Sequence, residues 1–458
     1  GALRADGWEP LRSLYAERAP WFLRTALDGL DPARVCFVPH HVAHAASAYL
    51  AAPFGDCAVL VLDGRGERAS HLAGMARDGV LEVFASQPLP HSLGLFYEAA
   101  TEHLGFRRAS DEYKVMALAA HGRPRFLGAL RRAVRCAGDG FQVDPIDWDA
   151  LAPARRAGAP IERVHADLAA SVQQRLEEMV LALARALHRR TGRERLAMAG
   201  GVALNCVANA RLAHEGPFAS IFVQPAAGDA GTALGAALYV ARQLGDRIVP
   251  MQTAALGRGF SNAAIEEFLR ANRIAYERPG DVADAAAALL AEDRVVAWFQ
   301  GRSEFGPRAL GHRSLLGDPR RAANLDRLNA IKGRESFRPV APIVLAERAA
   351  EIFAGPLPSP HMLFTHQVLE AWRARIPAVV HVDGSARAQT VDPAHEPLLA
   401  ALLRAFDKRT GVPVLINTSF NTGGRPMVDD LRDALEAFAS APIDALALGP
   451  FLVRRAAS

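Results

Sequence analysis

The sequence predicts an α/β protein of two domains, and three observations carry that prediction. Short apolar, β-prone runs at 58–62, from 196 into paired glycines, and at 221–225 end at turns bearing Gly, Pro or Asp, and helix-patterned segments lie between them, as in a sheet with crossing helices. The alternation then lapses at 246–254 into a Pro-bearing linker and starts afresh at Leu256. Further strands are expected at 295–300 and from Val414 onward. The expected division is residues 1–250 and 251–458, and a chain of 458 residues is long enough for both parts to bury cores of their own.

Half of the residues are hydrophobic and 22% are charged, the balance of an ordinary globular protein. The formal net charge of +4 is spread along the chain, too small a surplus for a nucleic-acid partner, while local Arg sites for phosphate-bearing small molecules stay open. Cys36, Cys57, Cys136 and Cys206 lie far apart, so neither a disulfide framework nor a cysteine zinc site is expected and a reducing compartment suits them. No apolar run approaches the roughly 20 residues that span a bilayer and no signal peptide opens the chain, so the expected location is the cytoplasm, without membrane contact.

Taken in order, residues 1–37 read as amphipathic helix, with Leu11, Leu14, Tyr15, Trp21, Phe22 and Leu23 among charges. Next, His40, His41 and His44 crowd the start of an Ala-rich helix. Residues four apart share a helix face, so His40 and His44 can offer ring nitrogens to one ion. Asp63 stands at the C-terminal tip of the following strand as a third donor; two imidazoles and a carboxylate suit a divalent first-row metal better than calcium. The same spacing also describes surface histidines and an Asp that merely ends a strand. Gly64 to Ser70 is a glycine-bearing turn, either a hairpin or a phosphate-approaching loop. A helix is expected at 90–104, and in the apolar stretch 112–119 that follows Lys114 is either an anion contact or a snorkelling lysine. Residues 137–163 read as a loop-rich insertion and 167–190 as a long amphipathic helix.

The strand at 196–199 leads into Gly200 and Gly201 and then Asn205, the strand–glycine–helix order that sets a ligand's phosphate against backbone amides. Asn205 reads equally as a ligand contact or a helix-start residue. Asp229, in a glycine turn, reads as a helix cap or as one more ligand. In the second part, the strand at 295–300 delivers a dense loop carrying Arg302, Arg308, His312 and Arg313, and Arg forks match phosphate and carboxylate oxygens. Lys332, Arg334 and Arg338 on one segment, with Ser419 and Asn421 on another, suit the surroundings of a polyanion, although solvated charge explains either segment alone.

Together the strings HHVAHAASAYL, VLDGRGE, PHSLGLFY, EYKVMALA, GGVALN, AAGDAGTALGAAL, WFQGRSEFGPRALGHRS, FRPVAP, HVDGSARAQTV and VPVLINTSFN resemble the family of nodulation-factor, cephalosporin and aminoglycoside O-carbamoyltransferases, in the right order from about His40 onward. The resemblance implies an actin-like ATPase (Kae1-like) domain that holds a divalent metal, iron first, followed by a YrdC-like α/β domain where carbamoyl phosphate and ATP, with Mg2+, yield carbamoyl adenylate. It implies metal ligands at His40, His44, Asp63 and Asp229. Nucleotide contacts are implied at Gly64, Gly200, Gly201, Asn205, Lys332, Arg334, Arg338, Ser419 and Asn421. Catalytic candidates are His41, Lys114, Arg302, Arg308 and Arg313.

The carbamoyl acceptor implied is a hydroxyl of a small natural product, and a homodimer is left open. Relative to the family, the chain lacks an upstream strand–turn segment and an acidic stretch, so it is expected to be a fragment, and Arg425 stands where the family commonly has Glu. The alternative reading is a catalytically silent nucleotide-binding homologue with a regulatory or scaffold role.

Overall fold

The structure, a computed structural model, describes residues 9–455. Helix α1 (Glu9–Ala26) carries the predicted apolar residues, and Leu11, Leu14, Tyr15, Trp21, Phe22 and Leu23 stand exposed along it.

The first sheet is built around β1 (Cys57–Leu62), whose six residues are all buried. A continuous apolar run is what a strand covered on both faces requires, because successive side chains point to opposite sides. Ala58, Leu60 and Leu62 pack into one core and Cys57, Val59 and Val61 into the other. The second of these is closed by helix α2 (His40–Tyr49), through Ala45, Ala46 and Tyr49. By the same alternation Asp63, the next residue after β1, falls on the α2 side.

Strands β2 (Ala69–Arg77) and β3 (Val80–Pro88) continue the sheet antiparallel beyond β1. Helices α3 (Leu93–His103), α4 (Glu112–Ala119) and α5 (Arg163–Thr191) follow in the chain. After them, β4 (Arg195–Ala199) and β5 (Ser220–Val223) add in parallel on the other side of β1, for the order β3-β2-β1-β4-β5. Helix α5 begins four residues before its expected start, because Glu162 and His165 cap each other's backbone reciprocally. The segment read as a loop-rich insertion overlaps a two-stranded hairpin, Val134–Ala137 with Gly140–Val143.

Between β4 and β5 runs α6 (Cys206–Glu215), and after β5 comes α7 (Ala230–Gln243), which lies against α2. The approach is close: a Cβ on Gly235 would stand 1.8 Å from the Ala43 carbonyl oxygen. Replacing Gly235 by Ala is therefore expected to lower the melting temperature by roughly 5–10 °C, read by scanning calorimetry, since overpacking outweighs the gain in helix propensity.

The second sheet has seven strands, all between residues 296 and 454. In chain order they are β6 (Val296–Phe299), β7 (Arg313–Gly317), β8 (Ala341–Leu345), β9 (Gln389–Val391), β10 (Val414–Ser419), β11 (Ala445–Leu448) and β12 (Phe451–Arg454). In space they run β9-β8-β10-β7-β6-β11-β12, with parallel and antiparallel neighbours mixed. Helices Val282–Ala291 and Pro397–Thr410 pack on each other and contribute to this sheet's core, which is separate from those of the first sheet. No described helix is long and apolar enough to cross a membrane.

Candidate functional site

Four donors from two elements and a turn meet at the end of β1. His40 and His44 project from the first turns of α2, Asp63 caps the tip of β1, and Asp229 immediately precedes α7. Nε2 of His40 lies 3.1 Å from Nε2 of His44 and 3.1 Å from Oδ2 of Asp63. Asp229 Oδ1 is 3.6 Å from His40 Nε2 and 3.5 Å from His44 Nε2. Donors bound about 2.1 Å from one ion at angles of 90–110° stand roughly 3.0–3.4 Å apart, so the nearest pairs have coordination spacing and the Asp229 contacts lie just beyond it. Two imidazole nitrogens and two carboxylates fit a divalent first-row metal.

The surroundings aim these donors. The backbone N–H of His40 donates to Glu67 Oε1 at 2.9 Å, so a carboxylate from the turn after β1 caps α2, which has no side-chain cap of its own. Asp63 Oδ1 accepts from the Gly201 amide at 2.9 Å, leaving Oδ2 to the histidines. Asp229 sits at the helix N-cap position but makes no side-chain cap bond; its carboxylate turns to the histidines instead.

Burial opposes charge on His40, but the hydrogen bond it donates to Asp63 and the negative charges of Asp63, Asp229 and Glu67 outweigh it and raise its pKa above the ordinary 6.5. For Asp63, burial works against ionisation, yet the His40 hydrogen bond and the Gly201 amide hold the carboxyl well below the usual carboxylate range. A metal must displace the His40 proton. Apparent metal affinity is therefore expected to rise about tenfold per pH unit up to the raised His40 pKa and to level off above it, measured by titration with Zn2+ or anaerobic Fe2+.

From this corner a cleft of about 1240 Å³ runs to the second sheet. Asp63, Gly64, Gly201, Asn205 and Asp229 line it on one side, and Arg308, Arg334, Arg338, Arg387, Ser419 and Asn421 on the other. Among the described residues, Arg308, Arg334 and Arg387 have no carboxylate within ion-pairing distance, and the Nε atoms of Arg308 and Arg387 are buried without a hydrogen-bond partner. Burial, with repulsion from Arg387, pushes Arg308 down to about 9; burial, with repulsion from Arg338 and Arg387, does the same to Arg334. Uncompensated guanidinium charge converging on a cleft is a seat for a polyanion.

Lys332 lies buried behind it, its ammonium donating to Ser419 Oγ at 2.9 Å, to the Ser419 carbonyl and to Asn421 Oδ1. Burial, reinforced by Arg334 and Arg338, drives its pKa well below the lysine range. The expected Lys-x-Arg and Ser-x-Asn pairs are thus brought together.

Other expectations are corrected. Arg302 is exposed and donates to the Gly257 and Leu256 carbonyls, tying down the segment just after the linker rather than entering the cleft. Arg313 is fully buried, its guanidinium 3.6 Å from the Phe299 ring centroid, with every bond going to backbone carbonyls, including Gln300 at 2.8 Å and Arg258 at 3.0 Å; it is a strut. Lys114 does not line the cleft and is paired with Asp111 at 3.1 Å and Glu335 at 2.9 Å.

His41 is buried behind the donors, its Nε2 3.9 Å from Asp63 Oδ2, and burial pushes its pKa down to about 4. Gly200 and Gly201 do not present free amides: Gly200 N–H donates to Ala227 O at 2.8 Å and Gly201 N–H to Asp63. Gly200 is needed because its φ is +91° and a Cβ there would meet the Leu62 carbonyl at 2.2 Å. Asn205 spends its side chain on Gln173 and on capping α6 through the Ala208 amide at 3.0 Å.

Arg387 was missed. It lies in the string HVDGSARAQTV, where only a basic residue among small polar ones marked it.

Comparison with known proteins adds the following. The family model "Carbamoyltransferase N-terminus" matches residues 22–238 and "Carbamoyltransferase C-terminus" matches residues 287–455. The chain is 42% identical over 441 residues to "Nodulation protein NolNO" of Sinorhizobium fredii, covering 93% of this chain and 65% of the relative, so it spans just under two thirds of that protein. It is 42% identical over 436 residues to "Nodulation protein NolO" of Bradyrhizobium diazoefficiens, covering 91% of this chain and 78% of the relative. A solved structure of P. abyssi Sua5 matches at TM-score 0.25 and 16% identity, over 35% of this chain and 47% of that chain.

Proposed function

The chain belongs to the carbamoyltransferase family, and from that membership we propose that it is an ATP-dependent O-carbamoyltransferase acting on a hydroxyl of a small acceptor. The observation that supports this reading best is the single cleft with a metal-suited donor set at one side and unpaired arginines at the other. In this reading the first part is actin-like and the second YrdC-like.

Water releases inorganic phosphate from carbamoyl phosphate, leaving carbamate. A carbamate oxygen attacks the α-phosphorus of ATP and pyrophosphate departs, giving carbamoyl adenylate. An acceptor hydroxyl then attacks the carbamoyl carbon, loses its proton to the surroundings, and AMP leaves.

Arg308, Arg334 and Arg387 hold the anions in the first steps without being consumed, as preorganised charge that needs no rearrangement when pyrophosphate departs. Lys332 fixes Ser419 and Asn421 beside them. A divalent metal, with iron(II) the first choice, supplies charge stabilisation on the adenylate phosphate when bound by His40, His44, Asp63 and Asp229. Those donors are oriented by Gly201 and Glu67.

The test is to incubate the metal-loaded chain with carbamoyl phosphate, ATP and Mg2+ and to follow pyrophosphate, then AMP release on addition of candidate hydroxyl acceptors, with products read by the mass of one added carbamoyl group. Folded, metal-loaded protein that leaves ATP and carbamoyl phosphate untouched would overturn the proposal.

A further inference from the structure

We propose that Lys114 and Tyr113 are positioning residues that keep the arginine side of the cleft open for its phosphate-bearing ligand, by holding the segment 332–339 from the opposite half of the molecule. The inference rests on the proposed function for the identity of the ligand, but not for its geometry.

The segment 332–339 carries Lys332, Arg334 and Arg338, has no regular secondary structure, and also carries a carboxylate, Glu335. An acid next to Arg334 in the chain and three positions before Arg338 is a built-in competitor for the anion seat. Glu335 Oε2 already lies 3.4 Å from Arg338 Nη1. Its other oxygen is drawn away by Lys114, 2.9 Å distant on α4, in the first half of the chain. Asp111 at 3.1 Å completes the charge balance on that lysine, which is mostly buried, so the pair is less screened than a surface one.

Tyr113, next on the same helix, lies with its ring centroid 4.6 Å from the Arg338 guanidinium carbon and offers its face to the cation. It lines the cleft, whereas Lys114 does not. Phe337 of the same segment also meets the first half of the chain, its ring centroid 6.5 Å from that of Phe106 and 6.3 Å from that of His121. Thus α4 takes up the one acid of the segment and steadies one of its arginines, leaving Arg334 without a carboxylate partner.

A strut and a positioning residue make different predictions. Without Lys114, Glu335 is freed to turn onto Arg334 and Arg338 and occupy the seat, so removing Glu335 as well should restore binding. A strut would give a double variant at least as impaired as the single one.

The experiment titrates inorganic pyrophosphate calorimetrically into the full chain, which reads the arginine cluster whether or not turnover occurs. Lys114→Met is expected to weaken binding about tenfold, Lys114→Met with Glu335→Gln to return it to within about threefold of the parent, and Lys114→Arg to remain near the parent. Tyr113→Phe, which keeps the ring face, is expected to be neutral, and Tyr113→Leu to weaken binding.

Unchanged binding in Lys114→Met, no recovery in the double variant, or no pyrophosphate binding by the parent would overturn the inference. If Lys114→Met fails to fold, Glu335→Gln alone decides: tighter binding than the parent supports the inference and weaker binding overturns it. A parent that binds pyrophosphate but never consumes carbamoyl phosphate and ATP would instead overturn the proposed function and leave this inference standing.

Discussion

His44→Ala is expected to slow carbamoyl transfer about a thousandfold while leaving adenylate formation intact. His44 is fully buried in the first turns of α2, and its Nε2 lies within 3.9 Å of each of the other three donors. Replacing the ring removes one of two imidazoles and leaves His40 paired with carboxylates alone. A metal supplies several kcal/mol of charge stabilisation to a departing phosphate, and at about 1.4 kcal/mol per decade this amounts to roughly a thousandfold in the transfer rate. Adenylate formation, followed as exchange of labelled pyrophosphate into ATP, depends on the arginine side of the cleft and should stay within about threefold. Equal loss of both steps in a folded variant would mean that the two chemistries share one set of residues.

Arg334→Met should give the opposite pattern. The Nε of Arg334 is fixed by Asn329 Oδ1 at 2.5 Å, so its planar fork is held in place at the cleft wall. Methionine preserves much of the aliphatic stem and deletes the charge. Loss of one preorganised donor aimed at developing anionic charge costs on the order of 10²–10³ in rate, so pyrophosphate exchange should fall by that factor. Arg334→Lys should recover only part of it, because an ammonium cannot reproduce the fork. Metal affinity should be unmoved, and a parallel fall in metal affinity would argue that the two sides of the cleft are not independent.

The metal corner was legible in the sequence because each part of it is set locally. Helical spacing puts His40 beside His44, and an apolar run ending in Asp63 places a carboxylate at a strand tip. At Asp229 both a cap and a ligand fit an acid before a helix, and only coordinates show that its side chain makes no cap bond and lies beside the histidines.

The arginine loop at 301–314 was misread for the opposite reason. Glu304, buried, gathers the amides of Leu310, His312 and Arg313 on one oxygen, and the loop folds around that acceptor, directing Arg308 to the cleft, Arg313 into the core and Arg302 back onto residues 256–257. Neighbours in sequence therefore part in space. Conversely, Arg387 and Arg308 meet from segments far apart, and no local pattern announces that. The paired glycines show a third kind of limit: a strand–glycine–helix signature says where amides can point, but Ala227 and Asp63 had already claimed them.

The close seating of α7 on α2 at Gly235 has a further consequence. It brings Asp229, near the end of the first part of the chain, over histidines near its beginning, so a bound ion would join two distant points of the chain much as a crosslink does. Such a tie, made only in the folded state, lends that state stability that depends on free metal concentration. Metal supply would then govern how long this half of the molecule survives as well as how fast it works.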